Sequence, residues 1–316
     1  MTNGKKRLLT GLQSSGTLHI GNYFGALKPF VDMYQQYESV LMVADLHALT
    51  SVKDANTLRD NIHSVVKDYL ACGVNPEEVT LFKQSDNPHH TELAWILNCQ
   101  VTVPFLMQAH SYKDKVAKGL EPNAGLFTYP MLMAADILLY DTDVVPVGED
   151  QRQHLEYTRE AANKFNLAYG EGILKEPAEM ILKAVGIVPG TDGSKMSKSY
   201  GNTIPLFGTK DEIAKAVMSI VTDSSGDKPE HVYAIHKLFK TEAELEPLYE
   251  EHTGKYKVLK EALIEELEGF IAPLRKKRNS ITNEDVQGVL KNGAAKAIEQ
   301  STIKIEHVRK AVGITL

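Results

Sequence analysis

Through the first 200 residues of this 316-residue chain, short apolar runs alternate with segments whose apolar residues recur every three or four positions. Residues 8–12, 40–44, 79–82 and 144–147 read as strands. The unbroken run Val40-Leu41-Met42-Val43-Ala44 is of the kind carried by strands buried on both faces. Helical spacing marks a segment from about Thr17, the set Leu58, Ile62, Val65, Val66, Tyr69 and Leu70 closed by Gly73, and residues 93–101. Strands alternating with helices build a parallel sheet with right-handed crossovers. The expected fold is therefore α/β, a Rossmann-like doubly wound sheet. Pro146, inside a strand, removes a ladder donor and hints at an edge or a bulge. After residue 200 the strand signals stop, and Ile213, Val217, Ile220 and Val221, then Leu259, Leu263, Leu267 and Phe270, then Val286, Val289, Leu290, Ala294 and Ala297 follow helical spacing. Two domains are expected, 1–200 and an α-helical 201–316, with the Gly/Pro/Ser-rich residues 189–205 as the hinge.

Composition removes several classes of function. A formal net charge of -6 is wrong for a protein that coats nucleic acid non-specifically, since that needs a broad basic surface; a specific nucleic-acid partner met by a local patch stays open. Cys72 and Cys99 form no CxxC pair, so neither a disulfide framework nor a zinc site is expected, and both are read as buried free thiols. No apolar run approaches the ~18 residues of a membrane span, and the N-terminus lacks the apolar stretch of a signal peptide. His89-His90 lacks partners at metal-ligand spacing and reads as a loop or helix start. Arg275-Lys276-Lys277-Arg278 reads either as a solvated helix face or as a contact to tRNA phosphates.

The unusual residues cluster after strands, where open parallel sheets bind ligands. Strand one leads into Gln13-Ser14-Ser15-Gly16 and a helix whose first turns hold His19, Gly21, Asn22 and Gly25, although each interior Gly costs about 1 kcal/mol relative to Ala. The second strand leads into Asp45-Leu46-His47, and that of residues 144–147 into Gly148-Glu149-Asp150-Gln151. A helix N-terminus suits phosphate, and the two glycines clear space for a flat ring or another backbone. Further on, Lys195-Met196-Ser197-Lys198-Ser199 puts two ammonium groups on a Gly-rich loop, able to follow charge building on a leaving phosphate.

HIGN at 19–22 and KMSKS at 195–199 resemble the two signatures of class I aminoacyl-tRNA synthetases. Over essentially the whole chain the sequence is similar to the bacterial-type tryptophanyl-tRNA synthetases, through TGLQSSGTLHIGNYFGAL, ADLHALT, LFTYPMLMAADILLYDTDVVPVGEDQRQH and KMSKSYGNTIPL. The resemblance implies that ATP binds at Gln13, Ser14, Ser15, Gly21, Asn22, Gly148, Glu149 and Asp150, with His19 near the phosphates and Ile187 at the adenine. Lys195, Met196, Ser197, Lys198 and Ser199 would close on the nucleotide, Lys195 and Lys198 gripping the pyrophosphate end helped by Lys115, with Mg²⁺ accompanying the nucleotide. It implies an amino-acid pocket of Gly11, Gln13, His47, Tyr129, Met133, Asp136, Val145, Val147 and Gln151, in which Asp136 meets the indole N–H and Tyr129 and Gln151 the α-amino group. Catalytic roles would fall to His19, Asn22, Lys115, Lys195 and Lys198.

The implied activity is tryptophan–tRNA ligation: L-tryptophan and ATP give tryptophanyl-adenylate and pyrophosphate, and tryptophan then passes to tRNA(Trp). A cytoplasmic homodimer is implied, with no membrane or DNA partner and with the anticodon read by the helical half. Tyrosyl enzymes are the near alternative, but they typically show Y-x-x-x-Q-x-x-D where this chain has Tyr129, Met133 and Asp136. A non-catalytic RNA-binding relative is the other alternative. Leu9, where an aromatic is common, and HIGN, where relatives have TIGN, depart from the pattern and leave the pocket's shape open.

Overall fold

A computed structural model describes residues 4–12, 16–119, 121–147, 152–181, 188–222 and 228–315. Five parallel strands, β1 (Arg7–Leu12), β2 (Glu38–Val43), β3 (Val79–Lys83), β4 (Val144–Val147) and β5 (Ala178–Ile181), lie in the order β3-β2-β1-β4-β5. The helices in chain order are α1 (Ile20–Asn22), α2 (Lys28–Met33), α3 (Asp45–Ala48), α4 (Ala55–Ala71), α5 (His89–Asn98), α6 (Val103–Leu106), α7 (His110–Ala117), α8 (Ala124–Leu138) and α9 (Arg152–Tyr169). After them come α10 (Lys210–Met218), α11 (Glu230–His236), α12 (Glu242–Glu251), α13 (Tyr256–Ser280) and α14 (Asn283–Val312). The expected Rossmann-like sheet followed by helices is what the chain adopts.

Both faces of the sheet are covered, which explains the unbroken apolar runs. Successive residues of each strand point to opposite sides. Leu8, Leu41 and Leu81 join one buried cluster, with Phe24, Val65 and Leu267 from the helices. Leu9, Met42 and Phe82 join the other, with Leu93, Ile137 and Phe165. Helix α14 supplies both, Val286 and Leu290 to the first and Ala294, Ala297, Ile305 and Val308 to the second. It covers the edge strand β3, a position that would otherwise expose unpaired backbone. The approach is so close that a Cβ on Gly293 would lie 1.7 Å from the Leu81 carbonyl oxygen.

Strand order reverses between β1 and β4, and there the ladder shrinks to the single pairing of Leu8 with Val144. Ligands bind at such reversals, beyond the strands' carboxyl ends. The expectation of an edge for Pro146 is corrected, because β4 lies between β1 and β5. Pro146 follows the end of the β1–β4 ladder, in the gap where a cavity opens. Strand β5 was not foreseen: it has four residues and carries Glu179, which Arg152 pairs at 2.9 Å.

Two further expectations change. Cys72 is buried, but Cys99, the residue that ends α5, is exposed. The basic run at 275–278 is half consumed within the molecule: Arg275 binds Glu268 and the Gly208 carbonyl, and Arg278 reaches the buried Asp68 and Ser64 of α4. Lys276 and Lys277 remain exposed. Among the described residues no helix is long and apolar enough to cross a membrane.

Candidate active site

A cavity of about 700 Å³ lies at the reversal point, walled by Gly11, Met42, His47, Tyr129, Met133, Asp136 and Val145 and reaching His19, Asn22, Ser197 and Lys198. Six of the residues expected around an amino acid and four of those expected around a nucleotide thus share one space.

His19 caps the first helix with its own ring. Its Nδ1 accepts from the Asn22 N–H at 3.2 Å, and the Asn22 side chain returns a bond to the His19 N–H at 3.1 Å. Burial, aided by the charge of Lys198, lowers His19 to about 4 from its ordinary 6.5, so the ring is neutral near pH 7. With Nδ1 accepting, the proton sits on Nε2, the nitrogen left to donate to a ligand. The ring folds back over Gly21, where a Cβ would meet Nδ1 at 3.0 Å and the Met196 Cβ at 3.2 Å. Gly21 is therefore glycine to admit both signatures at once. A Cβ on Gly25 would touch nothing within 4 Å; it sits in a π-helical turn, Tyr23–Leu27, that joins α1 to α2.

The two signatures are strapped together by backbone. Ile20 N–H donates to the Ile204 carbonyl and Leu206 N–H to that of Leu18, both at 3.0 Å. Asn202, buried, organises the lysine loop: its Nδ2 donates to Asp192 (2.7 Å) and to the Lys195 carbonyl (3.2 Å), while its Oδ1 accepts from the Ser197 N–H (2.8 Å). Gly190 has no side chain because Asn202 occupies that space, 2.3 Å from where a Cβ would be. Met196 is buried beneath the loop and Ser197 Oγ lies 2.9 Å from Ser199 Oγ. Lys198 reaches the cavity, and burial lowers its ammonium despite Asp68 nearby. Lys195 is exposed outside the cavity wall, and Lys115 stands on α7, also outside it.

Asp136 is 2% exposed and projects from α8 into the cavity. Burial raises its pKa, but hydrogen bonds from His47 and His90 outweigh this and bring it to about 2. Its Oδ1 accepts from Gln84 Nε2 (2.8 Å) and His90 Nδ1 (2.6 Å), and its Oδ2 from His47 Nε2 (2.8 Å). A carboxylate offers about four acceptor positions, so about one is left. Tyr129 Oη, from the same helix, lies 3.2 Å from the ring nitrogens of His154, another residue of the cavity wall.

Gln84, His90 and His154 were not expected here. His89-His90 does open a helix, as its reading as a helix start has it, but His90 is wholly buried against Asp136. The one available signal was a polar residue at an otherwise apolar helical position. Gln13, Ser14, Ser15, Gly148, Glu149, Asp150, Gln151 and Ile187 lie outside the described residues, as does the side chain of Val147.

Residues 1–293 match the family model described as tRNA synthetases class I (W and Y). The chain is 48% identical to a tryptophan–tRNA ligase of Fusobacterium nucleatum, over 97% of this chain and 96% of that protein. It is 41% identical to one of Rhodopirellula baltica, over 98% and 99%. A crystal structure of tryptophanyl-tRNA synthetase from Campylobacter jejuni complexed with ADP and tryptophan matches with a TM-score of 0.92 at 40% identity, covering 97% of this chain and 99% of that one.

Proposed function

Because this chain belongs to the class I tRNA synthetases for tryptophan and tyrosine, we infer that the cavity at the sheet's reversal point is where it activates its amino acid. The chain is an aminoacyl-tRNA synthetase of the tryptophan type, joining L-tryptophan to tRNA(Trp) at the expense of ATP. In the first step the tryptophan carboxylate attacks the α-phosphorus in line, giving tryptophanyl-adenylate and pyrophosphate. In the second, the ribose 2′-OH at the tRNA 3′ end attacks the adenylate carbonyl and AMP leaves.

We assign the residue roles as follows. Asp136 accepts the indole N–H at its remaining position, and Met133 packs on the ring, as a polarizable thioether does well. Tyr129 and Gln151 hold the α-amino group, with Gly11, Gln13, His47, Val145 and Val147 completing the pocket. Gln13, Ser14, Ser15, Gly21, Asn22, Gly148, Glu149, Asp150 and Ile187 hold ATP. His19 donates Nε2–H to a phosphate oxygen without adding charge, while Lys195, Lys198 and Lys115 neutralise the leaving pyrophosphate. Holding two reactants in line is worth on the order of 7–11 kcal/mol of barrier. The described residues contain no group of three or more His, Cys, Asp or Glu able to hold a metal ion, so Mg²⁺ would be carried by the nucleotide's phosphates and water, and no step is drawn through it.

The observation that carries this reading is an ionised, buried acid with three donors already bound and one acceptor position facing an apolar cavity. Tryptophan has one ring donor and no ring acceptor. The test is pyrophosphate exchange with each amino acid. Exchange should depend on tryptophan and not tyrosine, and Asp136→Ala should lose it; tyrosine-dependent exchange would overturn the assignment, and RNA binding without any adenylate would point to a non-catalytic relative.

We further assign residues 1–200 to catalysis and 201–316 to anticodon reading, in a cytoplasmic homodimer. Support for the dimer comes from apolar side chains exposed around the site's far rim, Trp95 at 71%, Val103 at 60% and Leu49 at 49%.

A further inference from the structure

From Asp136 a line of buried hydrogen bonds leads out of the cavity and ends on α14. His90 Nε2 lies 2.9 Å from Tyr140 Oη, Asn87 Nδ2 lies 2.9 Å from the same oxygen and 2.9 Å from Ser301 Oγ, and Ser301 bonds the Ile298 carbonyl at 3.1 Å. Asn87, His90, Tyr140 and Ser301 are all fully buried.

The donors in this line can be assigned from geometry. Asn87 Oδ1 accepts from the His89 N–H at 3.1 Å, which fixes the amide and leaves its two N–H bonds to donate to Tyr140 and Ser301. Tyr140 therefore accepts from Asn87, and among the described residues the acceptor for its own proton is His90 Nε2. His90 must then carry its proton on Nδ1, the nitrogen 2.6 Å from Asp136 Oδ1. Gln84 is held likewise, its Oε1 accepting from the Leu46 N–H. Each member is satisfied in one direction only, and such networks specify geometry. What brings Ser301 to Asn87 is the close approach of α14 to β3 at Gly293.

We propose that Asn87, Tyr140 and Ser301 are positioning residues for the tryptophan site: through the tautomer of His90 they aim the remaining acceptor position of Asp136, so that a helix of the C-terminal half sets how strictly the indole N–H is read. This rests on the assignment of Asp136 to that N–H. Loss of the line leaves catalysis on ATP alone untouched and weakens discrimination against an amino acid of the same shape that lacks the donor.

The probe is 3-benzothienylalanine, in which sulfur replaces the indole N–H, compared with tryptophan by kcat/KM in pyrophosphate exchange. Wild type should prefer tryptophan, and Asp136→Asn should lose that preference; if wild type shows no preference, the assignment of Asp136 itself fails. Given that preference, Tyr140→Phe and Ser301→Ala should each reduce it, Tyr140→Phe by on the order of tenfold, through KM for tryptophan and with KM for ATP unchanged. Their double variant should lose less than the sum, as for residues of one network. At His90 the two amides separate the roles. Asn places its N–H at the Nδ1 position and should retain much of the preference, whereas Gln places it at Nε2 and should not. If Tyr140→Phe and Ser301→Ala keep the wild-type preference while Asp136→Asn loses it, the proposal is wrong and the role of Asp136 stands.

Discussion

Gly21 shows how one residue's identity can be decided by its neighbours rather than by its helix. Replacing an exposed helical Gly by Ala ordinarily gains about 1 kcal/mol. At Gly21 the added methyl would press on the His19 ring at 3.0 Å and on Met196 at 3.2 Å, both parts of the nucleotide side of the cavity. Gly21→Ala should therefore lower the rate of adenylate formation by roughly tenfold or more, while tryptophan affinity, measured by equilibrium titration without ATP, stays near wild type. An unchanged rate would mean that the ring can yield. This residue was readable beforehand because a glycine in a helix's first turn conflicts with local propensity. His19, Lys198 and Asp136 were readable in the same way, as polar groups that the surrounding pattern does not call for. His90 and Gln84 gave no such conflict that could be interpreted: their partner, Asp136, is far along the chain, and nothing in a periodicity tells which distant side chain a buried polar group will find.

At the scale of elements, the same reasoning distinguishes two glycines of α14. Gly293 faces β3 with no room for a methyl, since its Cβ would lie 1.7 Å from the Leu81 carbonyl oxygen, whereas Gly288 has nothing within 4 Å. Gly293→Ala should destabilise the fold by more than about 3 kcal/mol, because the helix must lift from a packed face, and Gly288→Ala should stabilise it by roughly 0.5–1 kcal/mol. Chemical denaturation of both variants tests the pair; similar midpoints would show that α14 does not rest on the strand through Gly293. The helical character of α14 was evident from Val286, Val289, Leu290, Ala294 and Ala297. Its destination was not, because a helix's apolar stripe shows that it packs without showing on what. Strand β5 escaped notice for the related reason that Ala178–Ile181 is too short to establish a period.

For the whole molecule, the alternation of strands and helices was sufficient to give the sheet, since parallel pairing needs crossovers and both faces must be covered. Assembly tests its outer surface: Trp95→Glu should shift the sedimentation of a dimer towards monomer, and an unaltered dimer would move the interface elsewhere. Its interior predicts how it meets acid. Burial lowers both His19 and His236 to about 4 from 6.5, so between those values the unfolded chain binds protons that the folded chain refuses. Stability must then rise with pH through that window and fall as acid is added, by up to about 3 kcal/mol for each histidine. Asp136, at about 2 rather than 3.8, acts lower down: its contribution is present above the ordinary value and is lost as the pH falls towards 2. The first loss on acidification should thus belong to the histidines. His236 lies in the helical half with Nδ1 3.2 Å from Tyr249 Oη, a contact that an Asn amide can copy. Urea midpoints at about pH 7.5 and about pH 5 should differ less in His236→Asn than in wild type. Equal differences would mean that His236 takes up its proton in the folded chain, and that the packing of α11 against α12 and α13 opens before the rest of the molecule does.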